Sequence, residues 1–578
     1  MTEENVMKNR MVEWGLRILG IVLILFPIIL IPLTGSKIVF YNNDDLFLQE
    51  LVSGAMTGTP ESHLIYIGYL TGWLLSRLYI VLPQVPWYGL WLCGCLYGSV
   101  VYIIYKLSLL IEDKLWRMVF MAGSMLVCCA FLFQNLLSLQ YTTVTAVLAA
   151  CAIVIFLCTK PCDNVKEYLL DSIPGFVFWA LSFELRNKAC FMILAVFIVL
   201  VIVRILKDKK NLKAIMAYID VLMGLIVMLS AVEVVAYSSQ EWQAFKCYNT
   251  AREELLDFKG YPLYDDYTAV YEELGISASA YDAAKNHYLL LLEENINAEA
   301  FETLAETEDK SFDAITFIKE FIIEQYISYG DYPINFFVYF LYVATVVLLI
   351  LFRRKQFLWE VAGLFVARNA IWAYLVLGGR IVPWVTQGLY IMEFFVLVSI
   401  LACSKLWDES KPIKGSSLVS KVLLFGLTAC VMTGIIRTNT VIDYNKYARI
   451  EAENYIDLRA YCTEQEENLY LMDVLSVYAM NYYALADMPE SAGNMVLLGG
   501  WPVKSPWSDR IGANYGIDSY MDAVRTGENV YFIYLDEPAT GYEYLEKYLA
   551  DKGIAKQVTV VNTLTTDYGK TYLILGVQ

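Results

Sequence analysis

Apolar residues run along this chain in blocks of about twenty, the length a helix needs to cross a bilayer. The first block, 15–34, follows Lys8 and Arg10 and carries Arg17. No small-residue cleavage site follows it, so it reads as a retained span and not a signal peptide. Further blocks lie near 87–109, 117–137, 139–158, 169–184, 188–206, 217–238, 333–352, 357–377, 383–403 and 418–436. The pattern predicts a polytopic α-helical membrane protein with about 11 transmembrane helices. Basic residues set the orientation. They gather at Lys106/Lys114/Arg117, Lys160/Lys166, Arg204–Lys213, Arg353–Lys355 and Lys405–Lys414, and all five clusters fall inside if the N-terminus is cytoplasmic.

That assignment requires the apolar stretch 63–82 not to cross. It holds His63, Trp73, Arg77 and three tyrosines, with PQVP after it. Aromatics beside a cation suit a helix lying in the interface, so 63–82 is read as a juxtamembrane helix. The chain then divides into four parts. An N-terminal membrane module, 1–238, includes a first outer loop, 35–62. An extracytoplasmic helical insertion spans 239–332, a second set of membrane helices 333–436, and an extracytoplasmic tail domain 437–578. Helical spacing marks 251–258, 267–274, 279–294 and 298–306 in the insertion. The tail alternates short apolar runs (468–474, 495–500, 530–536, 558–564, 571–577) with helical stretches such as 542–553, a small α/β pattern. The expected location is the cell membrane, multi-pass, with the tail outside.

Composition sharpens this. The chain is 58% hydrophobic and 18% charged, yet its net charge is −17. The insertion holds 19 acidic against 6 basic residues over 239–330, and the tail 20 against 11. The acidity is therefore a solvated outer coat over a mildly basic membrane part. Nucleic acid is excluded as a partner, because phosphate binding needs a cationic face. Two histidines in 578 residues leave no basis for zinc sites or histidine triads. Of 12 cysteines only Cys247 and Cys462 lie in hydrophilic regions, and both are expected to be free. No nucleotide-binding glycine motif follows a tail strand.

The candidate chemistry lies just outside the first span, in YNNDDLFLQELVSGAMTGTPESH (41–63). The ordinary reading is capping: Asn43 or Asp44 accepts backbone N–H bonds at the start of a helix over 46–56, an end that acidic residues suit. Asp44 and Asp45 have a chemical use too: a carboxylate can take a proton from an attacking hydroxyl, and two adjacent ones can raise one pKa or share a divalent metal. Two short outer loops break the positive-inside trend, SFELRNKA (182–189) with Arg186 and Lys188, and LGGRIVPW (377–384) with Arg380. Arg186 has the alternative of pairing with Glu184, and Arg380 of offsetting the end of a helix closed by Gly378 and Gly379. Glu233 and Glu393 lie within spans, where a carboxylate is costly and faces the bundle interior. His63 and the Trp501 and Trp507 pair complete the secondary candidates. The two tryptophans are able to stack on sugar rings but more often serve local packing.

A first span, an outer loop with an acidic pair, juxtamembrane helices and then a second span resemble the GT-C superfamily of integral membrane glycosyltransferases. The protein O-mannosyltransferases and the lipid A aminoarabinose transferase share this order. The matching pieces here are Asp44–Asp45, the stretch 46–62 and the helix 63–82; the pair is Asp-Asp where many relatives have Asp-Glu. The resemblance implies a sugar carried on a polyprenyl phosphate and moved to a cell-surface glycan, lipid or protein acceptor on the outer face. Asp44 or Asp45 would then be the base, with Arg186, Lys188 and Arg380 holding the donor phosphate. A polysaccharide polymerase or ligase, and a transporter or flippase of lipid-linked sugars, are the competing readings.

Overall fold

The computed structural model describes residues 13–16, 18–22, 29–307, 313–326, 332–406, 416–477, 480–486, 493–536, 541–554 and 557–578. Within the first apolar block, 13–16, 18–22 and 29–33 are helical, while Arg17 and 23–28 lie outside the described residues.

After that block the chain forms a two-residue strand, β1 (Val39–Phe40), then helix α1 (Asn43–Ser53) and, beyond an irregular stretch, α2 (Tyr69–Val81). The predicted interfacial helix 63–82 is thus helical only from Tyr69. The bundle follows with α3 (Trp87–Ser108), α4 (Lys114–Phe131), a second short strand β2 (Ser138–Leu139), α5 (Tyr141–Cys158), α6 (Val165–Leu185), α7 (Asn187–Lys207) and α8 (Leu212–Ala236). Helix α9 (Gln240–Glu253) opens the insertion, and α10 (Ile334–Leu351), α11 (Leu358–Leu377), α12 (Pro383–Cys403) and α13 (Ser416–Thr463) follow it.

Nine of these are long and apolar enough to cross a membrane among the described residues: α3, α4, α5, α7, α8, α10, α11, α12 and α13. Of the eleven expected, the first is described only in part. The block 169–184 forms α6, which carries Asp171, Pro174 and Glu184 and is not among the nine. Helix α13 is 48 residues long and carries the last span on into the tail domain instead of ending near 436. Its extension, 437–463, contains neither Gly nor Pro, so nothing in the chain stops the helix.

Helix α5 is apolar on every face, as a buried helix must be. It packs against α3, α6, α7 and α12 and is almost wholly covered. Gly388 on α12 permits the closest of these approaches, since a Cβ there would lie 2.8 Å from the Ala146 Cβ.

All five apolar runs of the tail become strands: β3 (Leu469–Met472), β4 (Met495–Leu497), β5 (Val530–Leu535), β6 (Val558–Thr565) and β7 (Thr571–Val577). Their order is β4-β3-β5-β7-β6. β4, β3 and β5 are parallel, while β7 runs antiparallel to both β5 and β6. Loops leaving the carboxyl ends of parallel strands form the usual working edge of an α/β sheet. Here that edge meets the membrane module. The turn after β3 offers the Val477 carbonyl to the Asn43 side chain at 3.3 Å, and the loop after β4 supplies Trp501. β1 adds parallel to β2 and bridges to Tyr483 of the tail, so three distant segments are tied at one point.

The strongest tie is ionic. Glu50 of α1 and Arg459 of α13 form a buried pair, which Tyr455 joins through its hydroxyl on Glu50. Arg459 also donates to the Ala55 carbonyl at 3.2 Å. Removing one partner of a buried pair strands the other charge and costs about 3–5 kcal/mol. Arg459→Met is therefore expected to lower Tm sharply, and a second change, Glu50→Leu, to restore part of the loss. Thermal unfolding of the single and double variants checks this.

Candidate active site

Helix α1 is short, amphipathic and almost entirely covered, and its acidic residues are each given a different partner. Its N-cap is Asn42, with no side-chain capping bond, so neither aspartate serves as the cap that its position suggested. Asp44 remains partly accessible and accepts a hydrogen bond from the Trp501 indole Nε1 at 2.9 Å. Asp45 is 0% exposed and accepts one from the Tyr88 hydroxyl at 2.7 Å. The pair is thus split: Asp45 is fixed behind, against the first turn of α3, and Asp44 stands in front beneath the tail domain.

Arg186 leaves the end of α6 in extended conformation. Its guanidinium donates to the Tyr141 hydroxyl and lies 4.9 Å from the ring centres of both Tyr141 and Tyr66. It makes no ion pair among the described residues. Its neighbour Glu184 accepts instead from the Thr71 backbone N–H at 3.1 Å, packed against Gly68, where a Cβ would come within 2.5 Å of the carboxylate. The Arg186–Glu184 alternative is therefore not what the structure adopts. Arg252 of α9, itself buried, reaches the Tyr66 hydroxyl at 3.5 Å. Tyr66 in turn stands edge-on to Trp501 with ring centres 5.3 Å apart. A continuous set of contacts thus runs from Asp44 through Trp501 and Tyr66 to Arg186 and Arg252.

Lys188 and Arg380 reach this end of the bundle too, but each is met by a carboxylate. Lys188 pairs with Glu253 at 2.7 Å. Arg380 pairs with Asp257, lies 3.9 Å from Glu253, and sits over the Phe258 ring at 5.3 Å. The glycine-closed helix end read from sequence is present: Gly379 has φ +66°, and the Arg380 N–H returns to the Leu375 carbonyl at 3.2 Å.

Electrostatics separate these carboxylates. Burial drives Asp45 well above the ordinary carboxylate range, and the adjacent Asp44 charge adds to this. Asp44 is raised as well, by burial, against the opposing effects of the Trp501 bond and the Arg186 and Arg252 charges. Glu253 goes the other way. Burial resists its charge, but the Lys188 hydrogen bond and charge, with Arg380 and Arg186, hold it below the usual range.

The remaining candidates lie outside this set, though Trp507 packs against it. Glu233 accepts from the Tyr69 backbone N–H at 3.0 Å, with Lys246 at 3.8 Å. His63 contacts the Ala236 carbonyl at 3.1 Å and stacks on Trp242 with 4.5 Å between centres. Trp507 is buried against Trp242, Phe245 and Trp501, a packing role. Glu393 is paired with Arg368 at 2.8 Å deep in the bundle. Cys247 is exposed, Cys462 is buried, and both are free thiols.

For a divalent ion the donor set fits poorly. Among the described residues no cluster of three His, Cys, Asp or Glu is placed to hold one. Asp44 and Asp45 are turned to different partners, and the charges acting on Asp44 are those of Arg186, Asp257 and Arg252. Several residues of the set escaped the sequence reading: Tyr66, Tyr88, Tyr141, Arg252, Glu253 and Asp257. Tyr88 and Tyr141 lie in the first turns of membrane helices, where tyrosines are common. Glu253 and Asp257 disappear within an acidic surplus.

No protein-family model matches the chain, and no curated protein matches it either. Among solved structures it is similar to the crystal structure of ArnT from Cupriavidus metallidurans bound to undecaprenyl phosphate, with 11% sequence identity, a TM-score of 0.40 and 97% of each chain covered.

The raised Asp45 yields a stability prediction. A carboxyl whose folded pKa exceeds its unfolded value disfavours folding at pH values where it is ionised, and stability rises as pH falls through the folded pKa. Asp45→Asn keeps an acceptor for Tyr88 and removes this charge. It is expected to raise Tm at neutral pH and to flatten the pH dependence of Tm below it. A lower Tm at neutral pH would identify Asp45 as a structural ion instead.

Proposed function

We propose that the protein is a membrane glycosyltransferase that moves a sugar from a polyprenyl-phosphate donor to an acceptor hydroxyl at the outer face of the membrane. One observation supports the reading: a partly accessible, hydrogen-bonded Asp44 shares one end of the bundle with Arg186, which makes no direct ion pair among the described residues. The order of elements around Asp44–Asp45 that resembles GT-C enzymes supports the same reading. Orientation follows from charge. Lys160, Arg204, Lys207 and Lys405 line one cleft at the opposite end of the bundle, the end that the positive-inside rule places in the cytoplasm.

In this mechanism Asp44 accepts the proton of the acceptor hydroxyl as its oxygen attacks the anomeric carbon. The bond from that carbon to the phosphate oxygen breaks, and the polyprenyl phosphate leaves with the bonding electrons. Arg186 stabilises the growing phosphate charge, so no general acid is needed. Tyr141 and Tyr66 hold the guanidinium in place. Asp45 and Trp501 position Asp44, the first from the membrane side and the second from the outer domain. Lys188 and Arg380 join the phosphate only if it displaces Glu253 and Asp257, which makes them secondary to Arg186.

Transfer from a polyprenyl-phosphate sugar is the direct assay. Asp44→Asn is expected to lower kcat by about 10²–10⁴, the usual contribution of a general base. Arg186→Met is expected to lower kcat/KM by about 10-fold or more, from one lost charge-assisted contact. Full activity in Asp44→Asn would overturn the assignment. Loss confined to the arginine variants would favour the polymerase or ligase reading.

The acid limb of the pH–rate profile supplies a second check. Trp501 lowers the Asp44 pKa, so Trp501→Phe should move that limb to higher pH while activity at high pH is retained. An unmoved limb would show that Asp44 is not the titrating group.

A further inference from the structure

At the end of the bundle away from Asp44, two cysteines that stand 245 residues apart in sequence meet. Cys158 is the last residue of α5 and Cys403 the last of α12. Their sulfurs lie 3.7 Å apart, and Cys403 Sγ is 3.6 Å from the Leu157 carbonyl. Both are free thiols and both are partly accessible, whereas Cys151, Cys190 and Cys462 are buried. The 18 residues of α5 put the pair about 25 Å from Tyr141, at about 1.5 Å per residue. The pair therefore has no part in holding Arg186.

The packing leaves little for a bond to change. A disulfide holds its sulfurs about 2.05 Å apart, so these two need close by less than about 2 Å. Each cysteine ends its helix, and Thr159 already leaves α5 in extended conformation. Helix ends fray where interiors do not, which makes so small an approach available. At their other ends the two helices are fastened to each other, the Thr143 hydroxyl donating to the Trp384 carbonyl at 2.8 Å. The thiols are thus kept in register.

Their surroundings select a class of oxidant. Lys160, Arg204, Lys207 and Lys405 line the cleft that both thiols reach, against Asp208 and Glu360. Arg204 is fixed there by the carbonyls of Phe156, Leu157 and Thr159, on either side of Cys158. Lys207 is paired with Glu360, and Lys405 with Glu112 at 3.3 Å. The balance of charge stays positive, and such a cleft draws in a small anion.

We propose that Cys158 and Cys403 are a redox pair, which an anionic low-molecular-weight disulfide oxidises to a bond stapling α5 to α12. The thiolate of one cysteine attacks a sulfur of the reagent, forming a mixed disulfide and releasing one thiolate. The other cysteine then attacks the protein-side sulfur of that mixed disulfide, and a second thiolate leaves. The protein gives up two electrons and two protons, and the reagent departs as two thiols. On the orientation read from the basic clusters this end faces the cytoplasm, where such a bond is a transient, redox-sensing state. Nothing in this chemistry depends on the transfer reaction.

The full-length protein serves for the test. It is reduced, freed of reductant in detergent micelles and exposed to oxidised glutathione. Remaining thiols are alkylated, and the unreduced proteolytic peptides are identified by tandem mass spectrometry. The expected product is a peptide pair linked through Cys158 and Cys403, with the exposed Cys247 carrying glutathione. Cys158→Ser is expected to lose the link and to retain glutathione on Cys403. Alkylated Cys158 and Cys403 in protein whose Cys247 carries glutathione would overturn the proposal. Glutathione retained on both cysteines, with no link between them, would overturn it too.

Discussion

Burying an acidic helix is the constraint around which this molecule is organised. From Asp45 to Val52 every residue of α1 is covered, Asp45, Gln49 and Glu50 among them. Charges taken from water must be individually matched, or they disrupt the fold. The matches come from three regions far apart in the chain: Tyr88 from the bundle, Arg459 from the long helix α13, and Trp501 from the outer sheet. A fourth acid just beyond the helix, Glu61, is met by Arg510 of the outer domain. The contacts that join the tail domain to the membrane module are therefore also those that surround Asp44, and the 48-residue α13 runs from one to the other.

The two aspartates owe their different characters to this arrangement. Asp45 is closed in against Tyr88. Asp44 keeps an accessible side and lies within the field of Arg186 and Arg252. Nearby, Glu253 and Asp257 already hold Lys188 and Arg380. The insertion thus supplies the counter-ions that a phosphate would have to displace, whereas Arg186 donates to Tyr141, lies over the Tyr66 ring and makes no ion pair among the described residues. That contrast ranks three cations that appear equivalent in the sequence.

Features set by local pattern were legible in advance. Blocks of apolar residues gave the bundle, and each of the five alternating runs in the tail became a strand. The acidic pair stood out because it sits at the mouth of a span, and Arg186, Lys188 and Arg380 because they break the charge rule for outer loops. Partner choice was not legible. Glu253 lies 65 residues from Lys188 and more than a hundred from Arg380, and no periodicity links them. Trp501 reads as a local aromatic until β4 and its glycine turn carry it onto Asp44. Glu393 read as a second-tier site residue, and its ion pair with Arg368 on the neighbouring helix had no signal in the pattern. The run of α13 past 436 had a signal, the lack of any Gly or Pro, that hydropathy alone does not register.

The central claim is that Arg186 holds a lipid-linked phosphate beside Asp44. Binding measures this without chemistry. Purified protein and its Arg186→Met variant would be titrated with a polyprenyl phosphate carrying no sugar, with bound lipid counted by native mass spectrometry. A charge-assisted contact is worth about 1.5–3 kcal/mol, roughly 10–150-fold in Kd. The account predicts a loss in that range for Arg186→Met, larger than for Arg380→Met. Equal affinities for the wild type and Arg186→Met would contradict it.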